Sequence, residues 1–451
     1  MKVTPPGPGK VKNIDYPEVP CQPLRNDLKV LVVEDSYLPQ VALKLILPFG
    51  RIHSPHDNFA LSELVVALLK EGTTNRGSRE IAEVIDQWAM EYDADVYMEK
   101  TILSLKVLRR HLERAVELLS DLVRNPVFPE QELERTVTRW RSQLVSDRSD
   151  PGFLANERLF HAFYPDHPYR KVSVQPEHLD LCTREKAQEL YLKWFSPQKS
   201  YLLFAGDINL EEATRLSERY FEDWEANGTG LLDFPQPDAV RSRRILLIHR
   251  PHSVQTRLLV GLRILPRTDP RMIPVRVTNQ VLGGGGSSRL FMNLREDKGY
   301  TYGAYSYLKT YSKDGLLLAG ASVRTDTTRE SLQEIFKEME QLGESPPEEE
   351  ELQRSKSEII GAFIRQMETP GSIGSMELVR RFLGFPEDYY RRFIPRIRAV
   401  TAEQVKETAQ EFLRASRSIA VVVADRNSVE KDLQEFGTVE IYDTKGEPLS
   451  G

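Results

Sequence analysis

Cysteine, histidine, long apolar runs and excess positive charge are all scarce in this chain, and each scarcity excludes something. Cys21 and Cys182 are the two cysteines in 451 residues, too few for a disulfide framework or a thiolate metal cluster. The formal net charge is −6, which argues against a nucleic-acid surface. No apolar run approaches the roughly 20 residues that span a bilayer. The opening MKVTPPGPGKVKNIDYPEVP lacks the apolar core of a signal peptide, which predicts a cytoplasmic protein, or a periplasmic one if the chain is a trimmed piece. A phosphate loop is missing too. Gly283, Gly284, Gly285 and Gly286 follow a predicted helix rather than a strand and have no adjacent lysine, so they fit neither nucleotide fingerprint.

What is present is the composition of a soluble globular protein, 40% hydrophobic and 28% charged. The length predicts two to four domains at about 100–200 residues each. Residues 225–243, EANGTGLLDFPQPDAVRSR, hold two Gly and two Pro without clean periodicity, the mark of a linker. They separate an expected first half, 1–224, from a second, 244–451.

The halves repeat one plan. In the first, KVLVVED (29–35) and VALKLILPFG (41–50) read as strands, and a helix from about Asn58 to Lys70 closes at Gly72. Ile81, Val84, Ile85 and Trp88 share a face of the next helix. ADVYMEKTILSLKV reads as strand and HLERAVELLSDLV as helix, with SYLLFAGD a later strand. In the second, RILLIHR and TRLLVGLRIL are strands, MIPVRVTNQVL and SSRLFMNLREDKG helices, and TYGAYSYLK and GLLLAGASV strands. KWFSPQKSYLLFAGD (193–207) and EFLRASRSIAVVVAD (411–425) repeat as well. Strands following strands, with helices in pairs, predict an α+β fold of two homologous halves, each a mostly antiparallel sheet with helices packed on one face.

The glycine run has two readings. It is a helix C-cap entering a tight turn, with Ser287 or Ser288 capping the next helix, or it lets the backbone approach a ligand closely. The surrounding string, S-S-R-L-F-x-x-L-R-E-D-K-G-x-x-Y, is long and specific. It resembles the C-terminal half of the pitrilysin/insulinase family of zinc peptidases, which includes the processing peptidases. RNPVFPEQELER (124–135), FYPDHPYR (163–170) and SPQKSYLLFAGD (196–207) resemble that family's N-terminal half.

The resemblance implies a zinc signature H-x-x-E-H on a helix ending K-G-T. Aligned on KEGT, the first His position is Glu63, the base position Val66 and the second His position Ala67. The ligand position of the family's second motif falls on Arg141 in ERTVTRWR. A valine takes up no proton, and a guanidinium opposes a metal ion. This degenerate site predicts no metal and no cofactor on this chain. His53 and His56 in GRIHSPHD, and His249 and His252 in IHRPH, read as exposed loop histidines with no acid placed as base.

The second half departs less. The family's Arg and Tyr, which bind the substrate carbonyl and stabilise the oxyanion, fall on Arg295 and Tyr302. Family members also hold peptide as an added strand on a sheet edge beginning N-A, here Asp93 and Ala94. The glycine run then approaches a peptide. The implied role is a non-catalytic subunit, inactive alone, that serves a zinc-bearing paralogue in a heterodimeric peptidase. The alternative is an inactive scaffold or peptide-binding homologue, with self-association.

Overall fold

In the computed structural model, residues 16–225, 232 and 234–449 are described. Residues 1–15 of the expected first half, 226–231 and 233 of the expected linker, and 450–451 lie outside them.

The first half runs β1 (Cys21–Pro23), β2 (Lys29–Glu34), β3 (Gln40–Leu47), α1 (Leu61–Leu68), α2 (Ser78–Gln87), β4 (Glu91–Val96) and β5 (Thr101–Leu108). It continues through α3 (Leu112–Arg124), α4 (Glu130–Asp147), α5 (Pro151–Phe163), α6 (Pro176–Asp180), α7 (Arg184–Trp194), β6 (Tyr201–Gly206) and α8 (Leu210–Phe221). The second half runs β7 (Arg244–His249), β8 (Gln255–Ile264), α9 (Met272–Gly283), α10 (Arg289–Phe291), β9 (Thr301–Thr310), β10 (Gly315–Arg324), α11 (Thr328–Glu344) and α12 (Glu349–Arg365). It ends with α13 (Pro370–Phe382), α14 (Phe393–Ala399), α15 (Ala402–Phe412), β11 (Ile419–Ala424), α16 (Arg426–Leu433) and β12 (Val439–Tyr442).

Among the described residues these strands form two six-stranded sheets, ordered β1-β2-β6-β3-β5-β4 and β12-β7-β11-β8-β10-β9. Pairing is mostly antiparallel, with parallel contacts at β2–β6, β7–β11 and β7–β12. The fold is α+β in two matching halves. ADVYMEKTILSLKV, expected as one strand, is a hairpin: β4 pairs antiparallel with β5, turning at Tyr97–Lys100. Met98 is buried in that turn, so the bend carries an apolar residue where a polar one would have marked it.

One face of each sheet packs on its own half's helices. Val41, Leu43 and Leu45 of β3 meet Leu64, Val65 and Leu68 of α1 in the first core. Val260 and Leu262 of β8 meet Val277 and Val281 of α9 in the second. The opposite faces are covered by exchange. Helix α5, from the first half, lies on β7, β8 and β11 of the second sheet. Helix α13, from the second half, lies on β2, β3 and β6 of the first. The central strands YLLFAG and IAVVVA are buried throughout, as strands covered on both faces must be.

Both exchanged helices start alike. Asp150 accepts from Gly152 N at 2.9 Å and Phe153 N at 3.3 Å ahead of Pro151. Thr369 accepts from Ser372 N at 3.2 Å ahead of Pro370. A side-chain cap followed by Pro at the first turn pre-sets a helix N-terminus. Among the described residues no helix is long and apolar enough to cross a membrane.

Candidate functional site

The second half presents its site on a helix, a turn and an edge strand. Gly283 ends α9 against β9, where a Cβ would lie 2.4 Å from Ser306 N. Added Cβ atoms at Gly284 and Gly285 would meet Gln280 and Glu358 at 2.5 and 2.6 Å, whereas Gly286 faces open space. Gly283 and Gly285 thus bring different elements of the chain together, while Gly284 packs on its own helix. None of the four has positive φ. Glu358 of α12 pins the turn, accepting from Gln280 Nε2 at 2.6 Å and Ser287 Oγ at 2.8 Å. Ser288 is the N-cap residue of α10, but its hydroxyl donates to Gly285 O at 2.6 Å rather than accepting from the helix.

Beyond α10 the expected helix loosens into one π-helical turn, Met292–Asp297. Arg289 grips Glu351 of α12 with two bonds of 2.8 and 2.9 Å. Asn293 Nδ2 donates to Glu334 and Glu338 of α11 at 2.9 and 2.6 Å. With the inner side clamped and Leu294 buried, Arg295 points to solvent. Its Nε stands 3.5 Å from Glu296, and its guanidinium lies 4.7 Å from the Phe291 ring centre.

Tyr302 is 93% exposed. The cause is a bulge. Ala321 pairs with Ala304 and Val323 with Thr301, so Tyr302 and Gly303 together oppose Ser322. Such an extra residue twists an edge strand and re-aims a side chain. Thr301 Oγ1, donating to Ser322 O at 2.6 Å, holds the bulge. The glycine inside TYGAYSYLK was a legible sign of it.

In the first half the four cradle positions sit on α1 and α4, which pack together. Glu63 accepts from Arg51 Nε at 2.5 Å. Val66 is buried and Ala67 half-buried. Arg141 is exposed and pairs with Asp180 of α6 at 2.7 Å. Beside α1 runs the edge strand β4, with Glu91, Asp93 and Asp95 exposed and Ala94 half-buried against the core.

Comparison with known proteins decides the family. The model of the insulinase family, peptidase family M16, matches residues 29–177, and that of the peptidase M16 inactive domain matches residues 182–359. The chain belongs to this family. An uncharacterized zinc protease of Rickettsia felis is 24% identical over 405 residues, 88% of this chain and 96% of the relative. One from Mycobacterium leprae is 28% identical over 371 residues, 79% of this chain and 80% of the relative. The solved peptidase M16 inactive domain from Pseudomonas fluorescens shares the fold, with TM-score 0.84 at 24% identity over 90% of this chain and 98% of its own.

The family's zinc can be tested against the residues present, and they do not fit it. The cradle's carboxylate already holds a guanidinium, Val66 and Ala67 offer no lone pair, and Arg141 is a cation. Among the described residues no group of three or more His, Cys, Asp or Glu is placed to hold a metal ion. His53, expected in an exposed loop, instead packs against Phe49 and Trp194. Burial pushes its pKa down to about 4. The short 3-10 turn Arg51–His53 folds it inward. Sequence reasoning missed Arg51, which lies 12 residues before Glu63, a separation with no local periodicity to mark it.

Proposed function

We propose that this chain is a non-catalytic subunit of a two-chain peptidase, lending Arg295 and Tyr302 to the site of a zinc-bearing paralogue. Tyr302 carries the reading. A tyrosine turned 93% to solvent at an edge-strand bulge forgoes the stabilisation that burying it would give, about 1–3 kcal/mol. A phenol O–H and an obligate cation are suited to a carbonyl oxygen that becomes negative. The unpaired edge of β4, with Asp93 and Ala94, would take an extended peptide through backbone hydrogen bonds. Gly286, the one glycine of the run with open space beside it, would meet that peptide from the other side.

The test is reconstitution. Mixed with a family member bearing H-x-x-E-H, the chain is expected to yield peptide hydrolysis that neither gives alone. Arg295→Ala and Tyr302→Phe should each lower the joint rate by about 10²–10³-fold. Unchanged joint rates overturn the reading. A second reading, capture of extended segments without cleavage, draws on the edges of β4 and β9, which are open among the described residues. Peptide affinity in the absence of any partner would favour it.

A further inference from the structure

Lys171 is 6% exposed, yet no carboxylate pairs with it among the described residues. Two of its three N–H donors are spent on backbone carbonyls, those of Ile52 at 3.1 Å and of Ser54. The third has no hydrogen-bond partner among the described residues, and the ammonium lies 5.8 Å from the Phe59 ring centre. Burial alone pulls its ammonium down to about 8. A buried cation without a counter-ion is costly, and an anion placed beside it would offset that cost.

Arg51 is close by in the fold. Its Nε is spent on Glu63 at 2.5 Å, and its two terminal NH2 groups bond to nothing among the described residues. Arg51, Glu63 and Lys171 line one cavity of about 270 Å³, whose other walls include Phe59, Trp140 and Phe153. Its second carboxylate, Asp147, is engaged by Gln143 Nε2 at 2.8 Å. Glu63 is neutralised by Arg51, so the unspent donors belong to Arg51 and Lys171, and the three aromatic rings are joined in the walls by Leu144, Val172 and Val174. Planar guanidinium forks match carboxylates in geometry as well as charge, and concave apolar sites with a few convergent polar groups are ligand sites.

We propose that this cavity binds an organic carboxylate carrying an aromatic or apolar group. The terminal NH2 groups of Arg51 and the free N–H of Lys171 take its oxygens, and Phe59, Trp140 and Phe153 enclose the rest. Arg51 is balanced by Glu63, so Lys171 is the cation of this cavity that has no carboxylate partner among the described residues, and an anion would supply one. The proposal does not rest on the roles of Arg295 and Tyr302. The carboxylate has two sources, a free small acid or the C-terminus of a peptide.

Calorimetric titration of the full chain separates them. The probes are phenylacetate, phenylacetamide, a short peptide ending in free phenylalanine, and the same peptide amidated. An acid is expected to bind at least about tenfold more tightly than its amide, the yield of one charge-assisted hydrogen bond. Binding of phenylacetate identifies the small acid, and binding of the free-acid peptide alone identifies the chain terminus. Lys171→Met, checked for an unchanged circular dichroism spectrum, should cost about tenfold or more in affinity. Acid and amide binding equally, no binding of either acid at millimolar concentration, or full affinity in a folded Lys171→Met variant would overturn the proposal. The acid–amide contrast on the unmodified chain decides even if the variant misfolds.

Discussion

In each half a helix packs against the edge strand of its sheet, α1 on β4 and α9 on β9, yet the two corners face opposite ways chemically. In the first, charges are turned on one another: Glu63 on Arg51, Arg141 on Asp180. In the second, Arg295 and Tyr302 are turned outward and nearly unspent. The backbone arrangement at the first corner does not depend on Glu63 or Arg141, because sheet and helix cores hold it, with Leu64, Val65 and Leu68 buried beneath. Pairs such as Arg141–Asp180 are solvent-exposed and add at most about 1 kcal/mol. Chemistry in this fold is therefore a matter of few side chains on a frame that does not need them.

The sharpest way to break the contrast is to rebuild the first corner. Glu63→His, Val66→Glu, Ala67→His and Arg141→Glu together should create a zinc site of micromolar affinity or better, about 8 kcal/mol. Metal analysis and calorimetry should find one zinc per chain in this variant and none in the parent. Zinc in the parent, or none in a folded variant, would mean that the frame and not the side chains differs.

Acid should distinguish the halves next. His53, His161 and His167 all belong to the first half, and burial pushes each down to about 4. His167 is fixed as the neutral ring, accepting from Tyr169 N and donating to Pro235 O, both at 3.1 Å. A folded pKa below the ordinary value of about 6.5 means that the unfolded chain binds the extra proton. Stability is then full above pH 6.5 and falls as pH drops toward 4, by about 1.4 kcal/mol per pH unit for each histidine titrating. Urea melts across that window should show the loss, and hydrogen exchange should place the first opening in the first half. A flat profile would mean that these rings are not held neutral.

The smallest effect concerns the exchanged helices. A Cβ at Gly261 would lie 2.6 Å from Phe163 of α5, and one at Gly374 would lie 2.6 Å from Leu203 of β6. Gly261→Leu and Gly374→Leu should each cost about 1–3 kcal/mol by overpacking, read as a lower Tm. Equal losses would mark the two crossings as equivalent; a loss at one alone would show which exchange joins the halves.

Much of the fold was open to reading along the chain. Period-two and helical patterns located most strands and helices, and the runs YLLFAG and IAVVVA announced strands buried on both faces. The starts D-P-G at 150–152 and T-P-G at 369–371 were visible as matching helix beginnings. That each helix covers the other half's sheet was not, because nothing local encodes which distant surface a helix will meet. The register bend at Met98 was hidden by an apolar residue sitting in a turn.

At the cradle, composition alone was decisive: a glutamate, a valine, an alanine and an arginine cannot together grip zinc, whatever their distances, since ligand chemistry belongs to each side chain. Folding settled the rest. It set Arg51 on Glu63, buried Lys171 with no counter-ion among the described residues, and tipped Tyr302 out at a bulge. These outcomes depend on through-space contacts and on which surface water leaves, and both come into being when the chain closes on itself.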